Sequence, residues 1–353
     1  MTIGERIRMA RARAGLSQRA LAALAEISPM AVSKYEQGRM TPGSAVLIRL
    51  SRALDVTLDY LLRSTTVTLS APDFRCDPSL TQKQKEGIVE HVRDWLERYR
   101  VVEDLYEDTP SFTMPPEADR IAETLVDVEA VAEKLRHHWD LGFAPIENLI
   151  EVLELHGIKV GLIDAPETFS ALVLTLDDRN PVIVTRKNMP GDRQRFSLAH
   201  ELGHLSVIPG EGLDPEKAAY RFAGAFLAPR PMVSYELGRR RDVITLYELH
   251  LLKHKYGLSM QAWIHRAREA EILTEGAAKK LFDQFKKQGW HKREPGDQLD
   301  SEEPIRMKRL IYRAWSEGII SESRAGELLG EALQTFCEEE ERRHGDIPIA
   351  LCH

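Results

Sequence analysis

Three cysteines in 353 residues, spread over Cys76, Cys337 and Cys352, are too few and too far apart for a disulfide framework or a cysteine-rich zinc module. Free thiols are expected. No apolar run approaches the roughly eighteen residues that a membrane span needs, and residues 1–13 are charged, without the apolar stretch of a secretory signal. These absences predict a cytoplasmic protein with no membrane partner. Internal repeats and long low-complexity segments are also missing, and the length suits two or three domains.

The net charge of -7 would ordinarily disfavour nucleic acid, but it is unevenly spread. Residues 1–63 carry ten Lys or Arg against five Asp or Glu, which leaves +5 there and -12 elsewhere. A basic head on an acidic body permits DNA contact through one domain only.

Residues 1–66 read as short helices at 3–14, 17–25, 28–37, 44–54 and 58–62. Ser17 and Ser28 stand at expected N-caps, and Gly15 and Gly38 where helices should stop. Residues 63–78 read as a connector with at most one strand. Ser79 with Gln82 predicts a capping box, after which Ile88, Val92, Trp95, Tyr99, Val102 and Tyr106 form one apolar seam. Such a helix either packs on its own protein or pairs with a second copy as a coiled coil, giving a homodimer. Residues 67–115 are thus expected as linker and amphipathic helix.

Prolines break the pattern before a second unit, 116–290. Helices are expected at 116–139 and 145–156, strands at 158–163, 171–176 and 181–185, and helices at 193–205 and 215–227, the last stopped by Pro229 and Pro231. Further helices are expected at 242–256, 259–270 and 274–288. After a polar gap, 291–304, an amphipathic piece to residue 330 and an acidic stretch at 338–341 complete a helical C-terminal region, 291–353.

The chemistry centres on His200-Glu201-Leu202-Gly203-His204. On a helix, side chains at i and i+4 share a face, so two imidazoles can meet one tetrahedral ion. Glu201 can act as general base on water activated by Zn2+. A third protein ligand is required. Glu216, twelve residues downstream of His204, leads, with Glu211 and Asp214 as alternatives. His250 and His254 share the spacing, but no Glu follows the first, so they read as a solvated helix face. Tyr220 and His265 are candidates for oxyanion stabilisation or simply packed or surface side chains.

Leu16-Ser17-Gln18-Arg19-Ala20-Leu21-Ala22, followed by Ile27-Ser28-Pro29-Met30-Ala31-Val32-Ser33-Lys34-Tyr35-Glu36-Gln37-Gly38, has the spacing of two helices joined by a short turn. Leu21, Leu24, Ile27 and Val32 are the expected core. A second helix entering the major groove N-terminus first would turn Pro29, Met30, Ser33 and Lys34 toward base edges of double-stranded DNA, while Gln18, Arg19 and Arg39 contact phosphates. A protein-interaction module is the other use of such a bundle.

Through these motifs the first 63 residues or so resemble the XRE (Cro and lambda-repressor-like) helix-turn-helix family. Residues from about 116 to 290 resemble the ImmA/IrrE family of zinc metallo-endopeptidases. That resemblance is carried by Arg195-Phe196-Ser197-Leu198-Ala199-His200-Glu201-Leu202-Gly203-His204, by Glu216-Lys217-Ala218-Ala219-Tyr220-Arg221-Phe222-Ala223 with Phe226-Leu227-Ala228-Pro229, and by the strand Pro181-Val182-Ile183-Val184. It implies Zn2+ on His200, His204 and Glu216, with Glu201 catalytic. Two departures are Tyr220, where the family usually has Asn or Asp, and a short loop from His204 to Glu216.

Members of that family cleave a partner repressor, often of XRE type. The resemblance therefore implies a regulator that binds an operator while its peptidase cleaves a repressor or itself in response to a signal. The alternative is a non-enzymatic XRE-type repressor or antitoxin-like regulator with a structural or sensory metallopeptidase-like domain. The expected architecture is multi-domain: an all-α helix-turn-helix domain, an α+β zincin-like domain with a small sheet, and a helical C-terminal region.

Overall fold

The computed structural model describes residues 2–63 and 67–330; Cys337, Cys352 and the acidic stretch 338–341 lie outside the described residues. The chain is multi-domain, with a helical N-terminal domain, an α/β domain with a small mixed sheet, and a helical C-terminal part.

The N-terminal domain comprises α1 (Ile3–Arg13), α2 (Gln18–Leu24), α3 (Pro29–Glu36), α4 (Ser44–Leu54) and α5 (Leu58–Leu62). Thr2, Ser17, Ser28 and Thr57 accept the first unpaired amides of α1, α2, α3 and α5, which fixes where each begins. Ile7, Leu21, Val32, Leu50 and Leu61 share one core. Gly4 makes this packing feasible, because a Cβ there would lie 2.1 Å from the Tyr35 carbonyl oxygen. Leu24 departs from expectation at 59% exposed. The buried stripe of α2 is Leu21, Ala22 and Ala25, and Leu24 lies roughly a third of a turn from its centre.

The remaining elements are β1 (Asp73–Cys76), α6 (Gln82–Glu103), β2 (Ile121–Ala122), α7 (Leu125–His138), α8 (Leu149–Leu155), β3 (Lys159–Ile163), β4 (Phe169–Leu176), β5 (Asn180–Arg186), α9 (Gly191–Ser206), β6 (Ile208–Pro209), α10 (Pro215–Leu227), α11 (Arg230–Leu237), α12 (Leu246–Tyr256), α13 (Met260–Glu269), α14 (Glu275–Lys287), α15 (Arg306–Ser316) and α16 (Glu322–Leu329). Four strands form a sheet in the order β1-β4-β5-β3, antiparallel at β1/β4 and β4/β5 and parallel at β3/β5. β2 and β6 form a separate parallel pair.

Alternation along the strands serves two faces. Val160 and Ile183 join the core that contains Leu198 and Leu202 of α9, whereas Leu172, Leu174, Val182 and Val184 join Val92 and Leu96 of α6. The sheet is thus a layer between α6 and α9. α15 and α16 close the far end of α6, where Ile311, Ala325 and Leu328 surround Val102.

Several sequence expectations change. The capping box of α6 is Thr81 with Gln84, not Ser79 with Gln82; the Ser79 amide donates instead to Asp77 in the preceding turn. The seam Ile88, Val92, Tyr99 and Val102 is buried within the chain, and Trp95 covers Gly161 of β3, so this seam is not free to form a coiled coil with a second copy. The connector does hold one strand, as its sequence allowed: β1 joins the sheet beside β4. The helix expected from residue 116 begins only at Leu125, where Thr124 and Asp127 form a capping box. α11 was missed: Pro229 ends α10 and N-caps the next helix at once, and Pro231 is tolerated in its first turn.

The helical head is bound to α6 by buried charge. Arg6, 1% exposed, meets the fully buried Glu97 at 2.7 Å, and its Nε donates to the Arg63 carbonyl. Arg63 pairs in turn with Asp59 at 2.6 Å and Asp94 at 3.1 Å. Ion pairs this deep return little net stability, but losing one partner strands a charge, so they fix how head and body dock.

Candidate metal centre

His200, Glu201 and His204 stand on α9, whose apolar residues are held beneath the sheet. Gly203 lies on the side that meets α10. A Cβ there would be 3.1 Å from Ala219 Cα and 3.2 Å from Phe222 Cβ, so glycine lets the two helices approach closely. At the start of α10, Asp214 accepts from the Glu216 and Lys217 amides and Pro215 occupies the first turn, which sets Glu216 facing α9. At its other end, Arg136 and Arg266 donate to the Phe226 and Ala228 carbonyls.

The result is a convergence of three side chains. The Nε2 atoms of His200 and His204 lie 3.1 Å apart, Glu216 Oε2 is 3.4 Å from His200, and Oε1 is 3.2 Å from His204. Among the described residues this is the one group of three His, Cys, Asp or Glu side chains whose ligand atoms all lie within 4.8 Å of one another. Burial, Arg75 and His204 push the His200 pKa down to about 3, so the ring is neutral and offers a lone pair. Lone pairs and a carboxylate gathered this closely suit a cation.

Glu201 is 5% exposed, and its Oε1 is buried without a hydrogen-bond partner among the described residues. Desolvation raises its pKa to about 7, opposed by Arg75 and reinforced by Asp73 and Glu216. Arg75 and Asp73 come from β1, and sequence reading missed them. Arg75 Nη2 donates to the Tyr220 hydroxyl at 2.9 Å and lies over that ring, while Tyr220 stacks edge-on against His200 with centroids 4.5 Å apart. Nothing local could have marked these residues, because β1 reaches the site only by pairing with β4, nearly a hundred residues later.

The other candidates are not gathered here. Asp214 is spent as a helix cap and Glu211 is exposed in the loop. His265 packs against Phe282 of α14, and His250 and His254 adjoin each other on α12 without a third partner of ligand type among the described residues.

In the N-terminal domain, Pro29, Met30 and Lys34 lie exposed on α3, with Met30 at 68%, and Arg19 and Arg39 are also exposed. Ser33 is half-buried and accepts from Gln37. Gln18 differs from expectation in that its amide already donates to Glu36 Oε2 at 2.7 Å, beside the Arg11–Glu36 pair.

Together the folds define a two-part class of molecule, a helix-turn-helix head joined to a metallopeptidase-like body. Residues 7–61 match the Helix-turn-helix family and residues 153–268 the IrrE N-terminal-like domain. The chain is 33% identical over 86 residues to the SPbeta prophage-derived uncharacterized HTH-type transcriptional regulator YonR of Bacillus subtilis (strain 168), a stretch covering 24% of this chain and 80% of that protein. No solved structure matches it. The chain belongs to the XRE-type helix-turn-helix regulators and carries an ImmA/IrrE-like metallopeptidase domain. Among the described residues no helix is long and apolar enough to cross a membrane.

Proposed function

We propose that this chain is a DNA-binding transcriptional regulator whose second domain is a zinc-dependent endopeptidase, with His200, His204 and Glu216 as ligands and Glu201 as general base. The carrying observation is donor spacing. Ligands about 2.0–2.2 Å from a tetrahedral zinc are about 3.3–3.6 Å apart, and the three separations here run from 3.1 to 3.4 Å.

Zinc bound there would polarise the scissile carbonyl and acidify water. Glu201, buried beside the ligand set, takes the proton from attacking water and returns it to the leaving amine. The Tyr220 hydroxyl and the Arg75 guanidinium, already hydrogen-bonded to each other, are the donors that face charge developing on the carbonyl oxygen.

In the head, Pro29, Met30, Ser33 and Lys34 read base edges and Arg19 and Arg39 hold phosphates, with Gln18 retaining one amide proton for the same purpose. The substrate is a repressor of XRE type or the chain itself, cut in response to a signal. Lys34→Ala should weaken operator binding selectively by sequence, and Arg19→Ala uniformly, each by on the order of tenfold in gel-shift titrations.

The decisive experiment measures zinc content and proteolysis together. Wild type should bind one zinc per chain and cut a co-encoded XRE-type repressor or itself, while Glu201→Gln keeps the zinc and loses the cut. Full regulation by Glu201→Gln in cells would replace this reading with a non-enzymatic one.

A further inference from the structure

A cavity of about 480 Å³ opens beside the metal centre, and Arg75, Phe196, Ser197 and Tyr220 belong to its wall. The segment after α14 also lines it, with Trp290, Lys292 and Arg293. Arg193, Lys292 and Arg293 are exposed, and none makes an ion pair with a described residue. Arg75 spends Nη2 on Tyr220, while its Nη1 is buried with no hydrogen-bond partner among the described residues.

The acids of this cavity are already committed. Asp192 and Glu294 both meet the fully buried Lys253 at 3.1 Å, and Glu294 also accepts from the Met260 and Gln261 amides at the start of α13. That inner cluster holds a residual charge of one negative, against three exposed cations, Arg193, Lys292 and Arg293, with the half-buried Arg75 also on the wall. Trp290, Phe196 and Tyr220 supply apolar flanks for the aliphatic part of a side chain.

The geometry points to this cavity as a specificity site that takes an acidic side chain of the peptide substrate. The inference rests on the peptidase reading for the path of the chain. Phe196 is one helical turn before His200, about 6 Å along α9, and an extended peptide advances about 3.3 Å per residue. The acidic residue therefore sits within two positions of the bond that is cut. Charged recognition at such a rim acts on affinity and weakens with salt.

The test separates binding from cleavage. Zinc-loaded, full-length Glu201→Gln protein is titrated by fluorescence anisotropy with two peptides that differ only in glutamate or lysine at the two positions flanking the central bond. The glutamate peptide should bind at least tenfold more tightly, and Lys292→Glu with Arg293→Glu should erase or reverse that preference. Equal binding of the two peptides, or a preference that survives the double variant, overturns the assignment. If binding behaves as expected but wild type cuts neither peptide, the acidic-side-chain site stands and hydrolysis is what fails.

Discussion

Two histidine pairs in this molecule have the same spacing and different surroundings. His200 and His204 on α9 have ring centroids 4.8 Å apart, and His250 and His254 on α12 have centroids 4.5 Å apart. The first pair is met by Glu216 from a neighbouring helix that Gly203 allows to come close. Among the described residues the second has no carboxylate completing it; His250 lies beside Gly296 and His254 is exposed. Helical spacing makes a pair, and a second element packed at the right distance makes a site.

The sharpest way to break this comparison is to remove one imidazole from each helix. His200→Ala should lower zinc content from one per chain to near zero in metal analysis of purified protein, whereas His250→Ala should leave it unchanged. Equal loss from both would mean that α12 also binds metal. Next in size is Glu201→Gln, expected to reduce cleavage by roughly 10²–10⁴-fold, the range for a positioned acid-base group, at unchanged zinc affinity.

Gly203→Val tests the helix approach directly. The added side chain meets the Ala219 backbone, so α10 must retreat and carry Glu216 with it. Zinc affinity in chelator competition should fall on the order of 10–100-fold, as for changes that misorient a ligand, and stability by about 1–3 kcal/mol. Unchanged affinity would show that Glu216 does not depend on this contact.

The smallest effect concerns a carboxylate that resembles Glu201 in titration alone. Glu154, at the end of α8, is buried against the Arg306 amide, and desolvation raises its pKa to about 7. Because the folded value lies above the unfolded one, its contribution to stability is present below about pH 4.5 and is lost as pH rises through 7. Glu154→Gln should therefore gain on the order of 2 kcal/mol over wild type near pH 9 in denaturant unfolding, with little difference near pH 4.5 and no change in zinc content. A pH-independent difference would contradict the assignment.

The parts legible in the sequence are those set by local rules. Ser17 and Ser28 do cap α2 and α3, and the helices that bear His200 and Glu216 run within two residues of expectation because their apolar residues recur with the helical period. The parts that were not legible depend on distant chain segments. Arg75 and Asp73 reach the site through strand pairing, and α6 reads equally as a coiled-coil seam until the sheet it covers is known. Leu24 was misjudged because a short helix offers too few turns to define its buried stripe.

The burial of Arg6 against Glu97 bears on what a cut in the chain would accomplish. Hydrolysis anywhere between α5 and β1 would sever the polypeptide yet leave α1 packed on α6, with that ion pair still closed to water. Such a nick would yield two fragments that travel together, and the operator would remain occupied. On the self-cleavage reading proposed above, derepression by a cut at the connector would require undocking as a separate event after the bond is broken.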